Sequence, residues 1–141
     1  MIYIGIVGTR RRDAREDLEV VLCAFQDITQ RCILSIANFT IVSGGCKQGG
    51  DRFAEIIIDR FKTQKIIHLP DKSQLDKELL KKNPRAAYAK INYARNTLIA
   101  RDARDYLIAC VAEDRKGGTE DTIKKFKKLN PETWQDKLIL V

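Results

Sequence analysis

The segment Thr40 to Arg52, TIVSGGCKQGGDR, sets an apolar run against two glycine pairs and places an acid at the head of a helical pattern. Residues of these types suit the close approach of an anion. Gly44, Gly45, Gly49 and Gly50 lack the Cβ atoms that hold a ligand away, Ser43 stands beside them, and Asp51 and Arg52 open the next helix. The first N–H groups of such a helix have no internal partner, and its dipole favours negative charge there. The same residues also make an ordinary turn between a strand and a helix, so this segment alone leaves both readings open. Two other segments repeat the grammar. Gly8, Thr9 and Arg10 close an N-terminal apolar run, with Arg11 and Arg12 behind them, and Gly117 and Gly118 precede Thr119. Thr119 is placed either to cap a helix or to meet a phosphate oxygen. Glu120 and Asp121, in the same first turn, suit the helix dipole and ribose hydroxyls better than phosphate.

Arg95 is the most telling single side chain. It follows Ile91 by four residues and precedes Leu98 by three, so a guanidinium falls on an otherwise apolar helical stripe. A buried arginine needs a carboxylate, a carbonyl cluster or a ligand anion, and Asp51 and Asp105 are the internal candidates. Asn96 beside it can donate and accept toward a base or a sugar. His68, the only histidine, ends an apolar run and is read as a satisfied strand-end residue, because no partner for general-base work is identifiable. Trp134 and the tyrosines are expected to pack, with Tyr93 as the one candidate platform for a base. Neither a metal site nor a resident cofactor is implied.

These residues must be held by an alternating framework. Near-continuous apolar runs at Ile2–Val7, Phe39–Val42, Lys65–Leu69, Tyr106–Val111 and Leu138–Val141 predict five strands of parallel-sheet character. Helical periodicity predicts one long helix or two shorter ones over Asp13–Ile36, and helices over Asp51–Lys62, Ala86 to about Arg101, and Thr119–Leu129. The charged stretch SQLDKELLKKNP contains no convincing strand. The fold class is therefore α/β, a single domain over residues 1–141 with a five-stranded, mainly parallel sheet and helices on both faces. The longest connection, between strands three and four, is where the chain returns across the sheet, which gives the order 3-2-1-4-5. Ligands of such sheets lie beyond the carboxyl ends of the strands where the order reverses, and all three glycine-bearing loops converge there.

A chain of 141 residues with a formal charge of +7 buries a substantial core and favours acidic partners. Lys124, Lys125, Lys127 and Lys128 read as the solvated face of a helix, whereas Arg10, Arg11 and Arg12 sit at a strand end. Cys23, Cys32, Cys46 and Cys110 show no CxxC spacing, and the N-terminus MIYIGIVG does not have the form of a signal peptide. A reducing, cytoplasmic setting is expected, and no apolar stretch is long enough to span a bilayer.

Four motifs in order, IVGTR at 6–10, SGGCKQGGDRFAE at 43–55, ARN at 94–96 and DRKGGTEDTI at 114–123, resemble the SLOG superfamily. That group shares a Rossmann-like fold with DNA-processing protein A and the Lonely Guy phosphoribohydrolases, and the small YspA-like branch is the most similar part of it. The resemblance implies a Rossmann-like domain whose loops hold a nucleotide or nucleotide derivative. Gly44, Gly45 and Asp51 would form the first pocket, Arg95 and Asn96 would lie over the ligand, and Gly118 and Thr119 would meet its phosphate. Catalytic members carry a PGGxGTxxE motif whose glutamate acts with an arginine. Here the glutamate position falls on Thr122, while Arg95 can match the arginine. The expected function is binding of a nucleoside monophosphate, an ADP-ribose-like molecule or a signalling nucleotide, as a sensor or sequestering module. A phosphoribohydrolase cleaving an N-glycosidic bond, with Arg95, Glu120 and Asp121 as its candidates, is the alternative. Single-stranded DNA binding ranks third, because the lysines are spread over several helix faces. The expected partners are a small nucleotide derivative and further copies of the same chain, with no membrane partner.

Overall fold

A computed structural model describes all residues from Met1 to Val141. Five strands, β1 (Ile2–Gly8), β2 (Phe39–Ser43), β3 (Gln64–Ile67), β4 (Tyr106–Cys110) and β5 (Leu138–Leu140), form one sheet in the order β3-β2-β1-β4-β5. Every pairing is parallel, with Ile4 opposite both Ile41 and Tyr106, and Ile108 opposite Ile139. The helices are α1 (Arg15–Cys32), α2 (Gly50–Phe61), α3 (Lys77–Lys82), α4 (Pro84–Asp102), α5 (Gly118–Leu129) and α6 (Trp134–Lys137). The architecture is the doubly covered, Rossmann-like sheet that the alternation of the sequence predicts.

The two-residue period of the strands divides the core between the faces. Ile4, Ile6, Phe39, Ile41, Ile108 and Cys110 point toward α1 and α2, where Val21, Phe25, Phe53 and Ile57 meet them. Val7, Val42, Leu107 and Ala109 point the other way, toward Ile99 and Ala100 of α4 and Ile123 and Phe126 of α5. Each fully buried side chain of this size contributes roughly 1.5–3 kcal/mol relative to exposure.

Several boundaries differ from the sequence pattern for local reasons. The periodicity over Asp13–Ile36 resolves into one helix, which ends where Ile33 turns left-handed at φ 48°, followed by a 3-10 turn at Ile36–Asn38. The charged stretch contains α3, whose first turn is capped by Asp76 accepting from the N–H groups of Glu78 and Leu79, both at 3.0 Å. Asn83 ends that helix and caps α4, accepting from Ala86 N–H, with Pro84 in the first turn. Short α6 was hidden between a Pro and a strand, and Trp134 packs there under the Lys127 ammonium, 4.1 Å from its ring centre. Lys124 and Lys128 are exposed as expected, but Lys125 is not simply solvated: it donates to Asp121 at 2.8 Å and to the Tyr93 carbonyl at 2.6 Å. No helix is long and apolar enough to cross a membrane.

Candidate functional site

Because β1 lies at the centre, the loops after β2 and β4 flank its carboxyl end, and α4 crosses above them. Between these elements opens a cleft of about 440 Å³. Of the residues predicted as ligand contacts, Gly8, Thr9, Arg10, Asp51, Arg95, Asn96, Gly117, Gly118 and Thr119 line it. Ser43, Gly44, Gly45, Gly49, Gly50 and Arg52 do not.

The absences have a physical cause, and it centres on two carboxylates. Asp51 is buried, and its Oδ1 accepts from Ser43 Oγ at 3.1 Å and Gly44 N–H at 3.2 Å, while Oδ2 accepts from Cys46 N–H at 3.0 Å. The loop amides that suggested a phosphate cradle are thus held by the chain's own acid. Asp13 does the same for the second glycine pair. It accepts from Gly49 N–H at 2.7 Å and from Arg52 Nε at 2.8 Å, and these two contacts hold its carboxyl below the usual carboxylate range. Gly45 faces Ile67 and Leu69 instead of the cleft, and Gly50 is pressed against the backbone of Val7 and Gly8. The loop after β2 therefore reaches the cleft through Cys46 and Gln48, which its glycines had overshadowed.

Arg95 is 13 % exposed at its side chain and meets two of the partners its position called for. Its Nη1 donates to the Gly44 carbonyl at 2.8 Å and lies 3.9 Å from Asp51 Oδ2, and its Nε donates to Asn96 Oδ1 at 3.0 Å. Asp105, the other internal candidate, instead accepts from Tyr3 N–H. Asn96 continues the chain of contacts across the cleft floor by donating to the Gly118 carbonyl and to Asp121 Oδ2, each at 3.2 Å.

The loop after β4 is arranged differently. Thr119 does not cap α5; the capping position belongs to Gly117, at φ 119° and ψ −170°, a conformation open essentially to glycine alone. A Cβ there would touch nothing within 4 Å, so the backbone angle, not crowding, requires the glycine. No side chain caps this helix, and the N–H groups of Gly118, Thr119 and Glu120 meet no acceptor in the chain. Lys116 and Arg10 line the same part of the cleft with no carboxylate partner. Arg11 also lines it, but its guanidinium is bound to Asp114 at 2.8 and 2.9 Å and to the Lys116 carbonyl, and it holds Asp114 below the usual carboxylate range. Arg12 is turned to Asp17 and the carbonyls of Val111 and Val141.

Neither acid of the α5 first turn lines the cleft. Glu120 is paired with Arg115, and Asp121 with Lys125 and Asn96. Thr122 does line it, buried, with its hydroxyl 3.5 Å from the Gly118 carbonyl. The remaining lining residues that sequence reasoning missed are Val7, Ala89, Asn92, Ile99, Gln48, Cys46 and Lys116. Asn92 precedes Arg95 by three and Asn96 by four on α4, so helical spacing from those two was the signal that could have found it. Tyr93 lines the cleft, half exposed, with the Lys125 ammonium 5.6 Å from its ring centre. His68 lies outside the cleft and binds Asp102 through Nε2 at 2.7 Å, the satisfied strand-end histidine expected from its position. No group of three His, Cys, Asp or Glu side chains is arranged to hold a metal ion, and the four cysteines are free thiols.

Comparison with protein-family models, with curated proteins and with solved structures gives no match to this chain. Fold and site define a class nonetheless: a Rossmann-like α/β domain with a polar cleft at the carboxyl edge of its sheet, beside the point where strand order reverses.

Proposed function

We propose that the cleft binds a nucleotide or nucleotide derivative, with its phosphate on the amino end of α5, and that the protein acts by binding rather than by hydrolysis. The observation that carries this reading is the uncapped α5, whose free N–H groups open into a cleft also lined by the unpaired cations Arg10 and Lys116. Backbone donors, a helix dipole and two unpaired charges form a receptor for a phosphate. The half-exposed ring of Tyr93, near the Lys125 ammonium, and the carboxamides of Gln48 and Asn92, neither of them hydrogen-bonded to another side chain, offer stacking and hydrogen bonding for a base. Membership of the SLOG superfamily belongs to the same proposal, since all four of its motifs contribute residues to the lining of this cleft.

Hydrolysis is the weaker reading because the acids it would need are committed elsewhere, Glu120 to Arg115 and Asp121 to Lys125. Three or four charge-assisted hydrogen bonds at ~1.5–3 kcal/mol each, less the cost of association, correspond to about micromolar affinity. Isothermal titration with AMP, ADP-ribose, NAD and cyclic nucleotides tests the proposal. Micromolar binding of at least one, without release of free base, is the expected result. A folded sample that binds none of them overturns it.

A further inference from the structure

The two ends of the cleft differ in charge, and the difference points to what part of the ligand each end receives. At the β4 end stand the free amides of α5 with Arg10 and Lys116. At the β2 end stands Asp51, the one carboxylate among the cleft-lining residues, beside Arg95. The strands that carry these ends flank β1, so about 10 Å separates them at ~4.8 Å per strand spacing.

Asp51 and Arg95 are each only partly used. A carboxylate has about four acceptor sites and a guanidinium five N–H donors. Asp51 accepts two bonds at Oδ1 and one at Oδ2, which leaves an acceptor site on Oδ2. Arg95 donates from Nε and once from Nη1, and its Nη2 has no partner in the chain. A negative acceptor beside a positive donor repels neither a neutral group nor a dipole, but Asp51 opposes a second phosphate at that place. A vicinal diol fits such a pair, because one hydroxyl donates to the carboxylate while its neighbour accepts from the guanidinium.

We infer that Asp51 and Arg95 form a sugar-reading subsite that selects ribose over 2-deoxyribose in a ligand whose 5-phosphate rests on α5. The inference rests on the nucleotide-binding reading above and extends it to the sugar. Asp51 then has two tasks in one side chain: Oδ1 braces the loop after β2, and the spare site on Oδ2 takes a sugar hydroxyl. Its position at the start of α2 makes Asp51 part of the cleft wall.

Titration calorimetry with two matched pairs of probes tests this: AMP against 2′-deoxy-AMP, and ribose 5-phosphate against 2-deoxyribose 5-phosphate. One hydrogen bond to a charged group predicts a preference for the ribo form of about tenfold or more in Kd, in both pairs. Equal binding of the two members of each pair overturns the inference while leaving the nucleotide reading intact. Failure of every probe, together with failure of the wider nucleotide panel, overturns the reading on which it rests. In Asp51→Asn, whose one carboxamide oxygen can still serve Ser43 and Gly44 but leaves Cys46 N–H without its acceptor, the preference is expected to fall to about twofold while both members still bind. A full preference persisting in that folded variant overturns the role of Asp51. The comparison within the unmodified protein stands on its own if the variant does not fold.

Discussion

Substituting Gly50 by Ala isolates a role for a glycine that has nothing to do with a ligand. Gly50 is the first residue of α2, and a Cβ built on it falls within contact of the backbone of Val7 and Gly8 at the end of the central strand. Those atoms are main chain, and Val7 and Gly8 pair with Ala109 and Cys110 of β4, so they cannot rotate aside as a side-chain terminus would. The amino end of α2 must retreat instead, and with it Phe53, Ala54 and Ile57, which pack fully buried against the sheet. Overpacking of this kind costs about 1–3 kcal/mol and more where nothing yields. The expected loss for Gly50→Ala is therefore ~3 kcal/mol, a large part of the roughly 5–15 kcal/mol that holds a domain folded. Urea denaturation measures it directly, as a lower midpoint with an unchanged slope. A variant within about 0.5 kcal/mol of the parent would refute the close approach of α2 to β1.

Gly117→Ala is expected to behave otherwise: with open space around it, it loses only the backbone term, about 1–3 kcal/mol, and weakens AMP binding because the α5 amides shift. Arg10→Ala and Lys116→Ala should each weaken AMP about tenfold in calorimetry at low salt, with less difference at high salt, and should leave the melting temperature within 2 °C. Asp102 is held below the usual carboxylate range first by Arg101 and then by His68. Its contribution is thus fully present above the unfolded carboxylate pKa and disappears as pH falls through the lower folded value, so Asp102→Asn should flatten the acid limb of a thermal-stability profile below about pH 4. Cys23 is exposed, whereas Cys110 is buried with its thiol pKa pushed up by desolvation. A thiol reagent should therefore label Cys23 in the native protein and Cys110 only after unfolding, and rapid native labelling of Cys110 would contradict its burial.

Strand order was legible because it depends on long-range features that survive local error. The runs at Ile2–Val7 and Tyr106–Val111 are apolar on both faces, and the long segment between Ile67 and Tyr106 can close only by crossing the sheet. Helix α3 was not legible, since it is only six residues long, four of them charged, with Leu79 and Leu80 too few to show a helical period, and its first turn is held by the Asp76 cap. The end of α1 was equally obscure. Ile33 looks like a continuation of the periodic pattern, yet it takes a left-handed conformation and is almost wholly exposed.

The glycines show why only part of the site could be read. Sequence spells Gly50 and Gly117 alike, each in a glycine pair at a helix start with an acid close behind, but one is required by the backbone of a neighbouring strand and the other by its own dihedral angles. What separates them is the partner across the fold. Gly50 lies against β1, and the loop before it is filled by Asp51 and Asp13, which satisfy the amides that a phosphate would otherwise take. The loop at Gly117 has an acid in Asp114, but that carboxylate is paired with Arg11 and takes only the Lys116 N–H of the loop, while the amides of α5 stay open. Arg11 thus matters to the cleft through the anion it neutralises. Replacing it with Gln should leave Asp114 without its guanidinium partner, change stability little because the pair is about half exposed, and still weaken phosphate binding.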